Sequence, residues 1–237
     1  MMRALRYAVA LVLFSVWHAS RVVLAGLVRI PHRPGDVYDR AGGDWARAVL
    51  KWCRIGVVVE GRERLDPKAP CVYIANHVSF LDILAILQEF PGSLRFVYKK
   101  GMSWIPILGW AMLFARHIPI DRRNRSAAFA AYDEAAQFIR QGASAVVFAE
   151  GTRSRDGRLK PFKKGPFVLA IAAQVPVVPV LCLNGFELLP KGSWSPRPGI
   201  VTLRIGGAIP TAGMGYDARE GLAERTHGAL IGMGAKG

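Results

Sequence analysis

The segment Asn76-His77-Val78-Ser79-Phe80-Leu81-Asp82 carries the residue types for proton transfer, set between apolar runs at 71–75 and 83–87. An imidazole takes and returns a proton near neutrality, and a carboxylate beside it fixes its tautomer and supports the imidazolium. On a continuous helix of 3.6 residues per turn, the spacing from His77 to Asp82 leaves the two side chains roughly 140° apart, too far round to pair. The pair therefore requires the histidine in a turn and the aspartate in the first turn of a following helix. A packed histidine with an aspartate at a helix N-terminus gives the same pattern, so the motif on its own is weak.

A second polar island, Phe148-Ala149-Glu150-Gly151-Thr152-Arg153-Ser154, closes another apolar run, 144–149. It adds a third carboxylate, Glu150, and opens a basic loop: Arg153, Arg155, Arg158, Lys160, Lys163 and Lys164 face only Asp156 before Gly165. Arg116, Arg122, Arg123 and Arg125 form a further cluster near 118–122. Guanidinium groups gathered at a strand end suit bidentate recognition of phosphate.

Both islands need the same support. A short β-branched and aromatic run, a polar break and a helical pattern read as strand, turn and helix, which sets His77 and Glu150 at strand ends, where α/β proteins keep their chemistry. Further strands are expected at 57–59, 95–98, 118–122, 177–183 and 200–205. Helices are expected at 80–89, at 126–141 with Ser126 as N-cap and Gly142 as C-cap, from Gly165-Pro166, and after Tyr216. The apolar stretch 103–115 reads either as a core helix or as a wall beside a site that accepts a hydrocarbon chain. Strands alternating with helices predict an α/β fold, a mixed central sheet with helices on both faces. No G-x-G-x-x-G follows the first strand, so a dinucleotide fold has no support.

Ahead of this domain, residues 7–28 are apolar except for Ser15, His18, Ser20 and Arg21. As a helix they would reach about 33 Å, enough for a bilayer core of about 30 Å, although Arg21 would resist burial. A second helix at 44–55 combines Trp45, Val49 and Trp52 with Arg47, Lys51 and Arg54, an interfacial pattern. The expected organisation is an N-terminal two-helix membrane anchor, 1–55, followed by an α/β domain, 56–237. A single tilted span is the alternative. A cleavable signal sequence ending near Val23-Leu24-Ala25 competes, but Arg21 interrupts its apolar core.

Of the residues, 51% are hydrophobic and the net charge is +15, from 32 Lys and Arg against 17 Asp and Glu. This balance favours anionic surfaces. Zinc-ligand spacing, a basic heptad helix and aromatic-interleaved basic strands are all missing, so nucleic acid is not the expected partner. Anionic lipid, phosphate and an acidic carrier protein fit better. Cys53, Cys71 and Cys182 lie in or beside apolar runs without motif spacing and read as core cysteines of a reducing compartment.

Together, NHVSFLD and FAEGTRS resemble the signature of the glycerolipid acyltransferase superfamily, most closely its 1-acylglycerol-3-phosphate acyltransferases. The block from Lys99 to Arg122 and Val175-Pro176-Val177-Val178-Pro179-Val180 are also similar and stand in the same order, so the resemblance spans about 60–185. It implies direct transfer of a fatty acyl group from a thioester to the sn-2 hydroxyl of a lysophospholipid, with His77 as base and Asp82 orienting it. Ser79 as a nucleophile would imply an acyl-enzyme, which the resemblance does not favour. Glu150, Gly151, Thr152 and Arg153 would form the acceptor site, with Arg153 on the phosphate and Glu150 on the glycerol hydroxyl or an arginine. Lys100 and Arg122 match the family's other basic positions, and Lys99 is an equal contact. Two departures, Ala149 for a proline and Gly101 for an acidic residue, weaken the choice of acceptor.

The implied co-substrate is an acyl-CoA or acyl carrier protein thioester, with no cofactor and no metal. The implied setting is an anionic membrane surface, the inner (cytoplasmic) membrane with the site facing the cytoplasm. Another lysolipid acceptor, such as a lyso-ornithine lipid, is the alternative. A metal-dependent hydrolase using His77, Asp82 and Glu150 as ligands lacks supporting histidine spacing. A silent basic membrane-binding protein leaves both polar islands without a reason.

Overall fold

The computed structural model describes residues 2–33, 35–121 and 123–237, and of Arg3 and Arg125 the backbone alone. Seven strands form one sheet: β1 (Ile55–Glu60), β2 (Val72–Ala75), β3 (Leu94–Lys99), β4 (Ile118–Ile120), β5 (Ser144–Phe148), β6 (Val177–Leu183) and β7 (Gly199–Ile205). Their order is β1-β7-β6-β2-β5-β3-β4. Only β6 and β7 pair antiparallel; the other neighbours run parallel. The sheet is therefore mixed, as expected. Central β2 is buried at every position and β1 at the edge alternates, the difference between a strand covered on both faces and one half in water.

The helices are α1 (Met2–Leu27), α2 (Val37–Trp52), α3 (Leu81–Glu89), α4 (Leu108–Phe114), α5 (Arg125–Arg140), α6 (Gly165–Ala173), the single turn α7 (Gly185–Leu188) and α8 (Arg219–Gly232). One face of the sheet is covered by α2 and α3 through Val49, Leu50, Leu81 and Leu84. The other is covered by α5, α6 and α8 through Ile139, Phe167, Leu169 and Leu222. Burying two faces supplies two apolar cores around a shared sheet, the main stabilising term at about 25 cal/mol per Å² of apolar surface.

Within Ala4–Leu27 an 18-residue stretch has a mean hydropathy of 1.8, and the helix suffices by length and composition to cross a membrane. α1 and α2 lie antiparallel. Arg6 donates to the Trp52 carbonyl at 3.1 Å and Trp52 Nε1 donates to the Arg6 carbonyl at 3.0 Å, while Arg21 sits 3.3 Å from Asp44. The cation that interrupts the apolar run thus has its counter-charge on α2.

Two helix starts differ from expectation. α2 begins at Val37, not near 44, because Asp36 caps it by accepting from the amides of Tyr38 and Asp39. α5 begins at Arg125, and its cap is Asn124, which accepts from the Ala127 amide at 3.0 Å, rather than Ser126. The 103–115 stretch is not one core helix: a 3₁₀ turn precedes α4, and Trp104 and Trp110 are exposed.

Candidate active site

β2 and β5 are parallel neighbours, with Ala75 opposite Phe148. Continuing that register brings His77 and Glu150 side by side at the C-terminal ends of the two strands. Asn76 extends the other side of β2: its amide donates to the Cys182 carbonyl at 3.0 Å and accepts from the Cys182 amide at 2.7 Å. A side chain thereby continues the β2–β6 ladder while the backbone turns away.

Within the turn, His77 Nδ1 lies 3.0 Å from Asp82 Oδ2. Asp82 is in the first turn of α3 and fully buried. The same oxygen accepts from the amides of Val78 and Ser79, both at 2.8 Å. An oxygen that already accepts from two amides pairs best with an Nδ1 that carries the hydrogen, a tautomer in which Nε2 presents its lone pair. Phe148 stacks on the imidazole with ring centres 3.9 Å apart. Ring plane and tautomer are thus both fixed.

The second island grips the first by its backbone. Glu150 Oε1 accepts from the His77 amide at 2.7 Å and Oε2 from the Lys160 amide at 3.2 Å. The Ser154 amide donates to the His77 carbonyl at 2.7 Å. Burial pushes the Glu150 carboxyl up to about 7, against the lowering effect of its two amide donors and the Lys160 charge. Glu150 therefore holds the histidine turn and the basic loop together, and its oxygens meet amides rather than an arginine. Ser79 is buried with its hydroxyl donating to the Leu189 carbonyl at 2.7 Å, a geometry without a base for a nucleophile. The amides of His77, Val78 and Ser79 all donate to the two carboxylates.

His77 opens onto a cavity of about 1660 Å³, larger than the roughly 300–1,000 Å³ of common small-molecule pockets. Its walls include Leu11, Trp45, Phe80, Ile83, Ile107 and Ile120, drawn from α1, α2, α3, β4 and the 103–115 stretch, and its polar lining includes buried Glu150 together with Gly151, exposed Thr152 and half-buried Arg153. A basic, polar patch in the lining of a large apolar cavity suits an amphiphile with an anionic end.

The family model described as "Acyltransferase" matches residues 56–183. The chain belongs to the acyltransferase family. A 1-acyl-sn-glycerol-3-phosphate acyltransferase of Limnanthes douglasii is 31% identical over 95% of this chain and 79% of its own. The chloroplastic protein BAT2 of Brassica napus, of the same name, is 36% identical over 73% of this chain and 53% of its own. The chain spans about half the length of some curated relatives it matches. A crystal structure titled as the 1-acyl-sn-glycerophosphate (LPA) acyltransferase PlsC from Thermotoga maritima shares the fold, with a TM-score of 0.77 over 99% of this chain and 97% of that one at 24% identity.

In this acyltransferase-family chain, the structure brings His77, Asp82 and Glu150 into one hydrogen-bonded unit, with Gly151, Thr152 and Arg153 in the cavity lining. Lys99 also lines the cavity, whereas Lys100 points out of the 3₁₀ turn that follows and is exposed. Arg122 lies outside the described residues. All three cysteines are free: Cys71 and Cys182 are buried in the core, Cys53 is half-buried against it, and burial pushes the Cys71 thiol up to about 11. Sequence reasoning missed Asn76 as a strand extender and Lys191, whose ammonium reaches Thr152 Oγ1 at 3.1 Å. The only sequence signal for Lys191 is a cation in a stretch of glycine, serine and proline.

Proposed function

We propose that the protein transfers a fatty acyl group from an acyl-CoA or acyl carrier protein thioester to the sn-2 hydroxyl of lysophosphatidate, giving phosphatidate. The observation that carries this reading is the 3.0 Å His77–Asp82 pair opening onto a large apolar cavity. Family membership supports the reaction class. The names of the relatives support the acceptor.

In the proposed step, His77 Nε2 removes the acceptor hydroxyl proton as the oxygen attacks the thioester carbonyl. Asp82 supports the imidazolium, which returns the proton to the thiolate as the tetrahedral intermediate collapses. The burial of Ser79 supports direct transfer. Arg153 holds the acceptor phosphate and Lys99 adds positive charge at the rim, while Lys100, which stands off the cavity lining, and Arg122 are proposed as phosphate contacts on the resemblance alone. The α1–α2 hairpin, within an anchor at 1–55, presents the cavity to acyl chains from an anionic membrane, with the site on the cytoplasmic side of the inner membrane.

The test is mass spectrometry of lipids formed by wild type and His77→Ala, each given both thioesters and a panel of lysolipids that includes a lyso-ornithine lipid. Removing a general base costs roughly 10² to 10⁴ in rate, so phosphatidate should form with wild type and fall by that factor in the variant. Equal product from both proteins would refute His77 as base. Acylation of a different lysolipid alone would replace the acceptor.

A further inference from the structure

The loop 188–198 touches each part of the site. Its Leu189 carbonyl receives the Ser79 hydroxyl, and its Trp194 ring lies 6.2 Å from Tyr7 of α1 and lines the cavity. Between them, Lys191 Nζ lies 3.1 Å from Thr152 Oγ1 and 3.5 Å from the Arg153 carbonyl. Lys160 Nζ reaches the same carbonyl at 3.4 Å. Two ammonium groups from different loops thus converge on the Arg153 carbonyl, one of them also on the Thr152 hydroxyl, beside residues that line the cavity.

Among the described residues, the ion pairs involve none of Arg153, Arg155, Lys160 and Lys191. Asp156, the loop's own carboxylate, accepts from the Ser154 hydroxyl and the Arg158 amide. Glu150 lends some negative charge, but its oxygens face the amides of His77 and Lys160. Partial desolvation and repulsion from Arg155, Lys160 and Arg153 hold the Lys191 ammonium below its ordinary pKa. Like charges gathered this closely repel, by about 1 kcal/mol per pair at 4 Å even in bulk water. A dianion among them relieves that repulsion and accepts hydrogen bonds from the ammonium groups.

We infer that Lys191, held on Thr152, completes with Arg153 and Lys160 a binding site for a phosphate monoester. The inference rests on the proposed function, which supplies two sources of that group: the acceptor's phosphate and the 3′-phosphate of an acyl-CoA. Arg153 gives planar paired donors, while the two lysines give point charges from separate loops.

Steady-state kinetics of wild type, Lys191→Ala and Lys191→Arg test this, with lysophosphatidate and acyl-CoA varied in turn and monoacylglycerol as an acceptor without phosphate. Losing one charge-assisted contact should raise KM about tenfold for the phosphate-bearing substrate, leave kcat little changed, and be largely reversed by arginine. A rise confined to lysophosphatidate assigns the acceptor's phosphate; one confined to acyl-CoA, and retained with monoacylglycerol, assigns the carrier's. Unchanged KM on both arms overturns the site. If wild type does not acylate lysophosphatidate, the proposed function fails instead, and the site is then judged by thermal melts. Inorganic phosphate should raise the melting temperature of wild type more than that of Lys191→Ala, and equal rises would overturn it.

Discussion

Asp82 uses its two oxygens unequally. Oδ2 accepts from His77, Val78 and Ser79, while Oδ1 is buried and has no hydrogen-bond partner among the described residues. Gly185, at the start of α7, explains how that oxygen stays in place: a Cβ there would stand 2.7 Å from Oδ1 and 3.0 Å from the Ser79 Cβ. A methyl group at 185 would rotate the carboxylate and draw Oδ2 off all three donors. On the proposed reaction, Gly185→Ala should therefore lower kcat by about 10²-fold, the scale of a small misplacement in a catalytic site, with KM for the acceptor little changed. In an Asp82→Ala background the same substitution should cost almost nothing, since the carboxylate it disturbs is gone. Equal losses in the two backgrounds would show that Gly185 acts through something else.

Among the elements, helix packing depends on where glycine allows close approach. Gly26 of α1 faces the Phe114 ring of α4, where a Cβ would fall 2.2 Å from the nearest ring carbon, whereas Gly228 of α8 has no atom within 4 Å of an added Cβ. Gly26→Ala should destabilise by about 1–3 kcal/mol through overpacking. Gly228→Ala should stabilise by up to about 1 kcal/mol through helix propensity. Thermal melts should shift in opposite directions, by roughly 2–4 °C per kcal/mol; a neutral Gly26→Ala would mean that Phe114 moves aside freely. The same logic explains what the sequence disclosed. Strands β2, β5 and β6 were legible because a strand covered on both faces is apolar throughout, and the strand-turn-helix pattern located His77, Asp82 and Glu150. The start of α2 was not: Gly42 and Gly43 resemble a break, yet they lie inside the helix where Leu87 of α3 comes within 3.0–3.1 Å of an added Cβ. Glu150 was legible as a site residue, but its amide partners were not, since His77 stands 73 residues away. Lys191 and Thr152, 39 residues apart, meet only because β6 returns the chain beside β2.

Over the whole molecule, stability against pH combines two opposing linkages. The net charge of +15 grows as carboxylates take up protons, so general self-repulsion weakens the fold in acid. Glu150 works the other way. Its carboxyl is raised from an ordinary 4.5 to about 7 by burial, so between those values the folded chain holds a proton that the unfolded chain has released. Its contribution is fully present below pH 4.5 and is lost as pH rises through about 7. At 1.36 kcal/mol per unit, the ceiling is about 3 kcal/mol. Glu150→Gln removes the ionisation while keeping one acceptor for the His77 amide, so it isolates this term. The unfolding free energy of wild type relative to Glu150→Gln should fall steadily from pH 5 to pH 8 in denaturant titrations. The lost Lys160 amide bond sets a constant offset between the two proteins, whereas ionisation sets the slope. A difference that stays flat across that range would mean that Glu150 ionises at an ordinary carboxylate pH, with its two amide donors and the Lys160 charge outweighing burial.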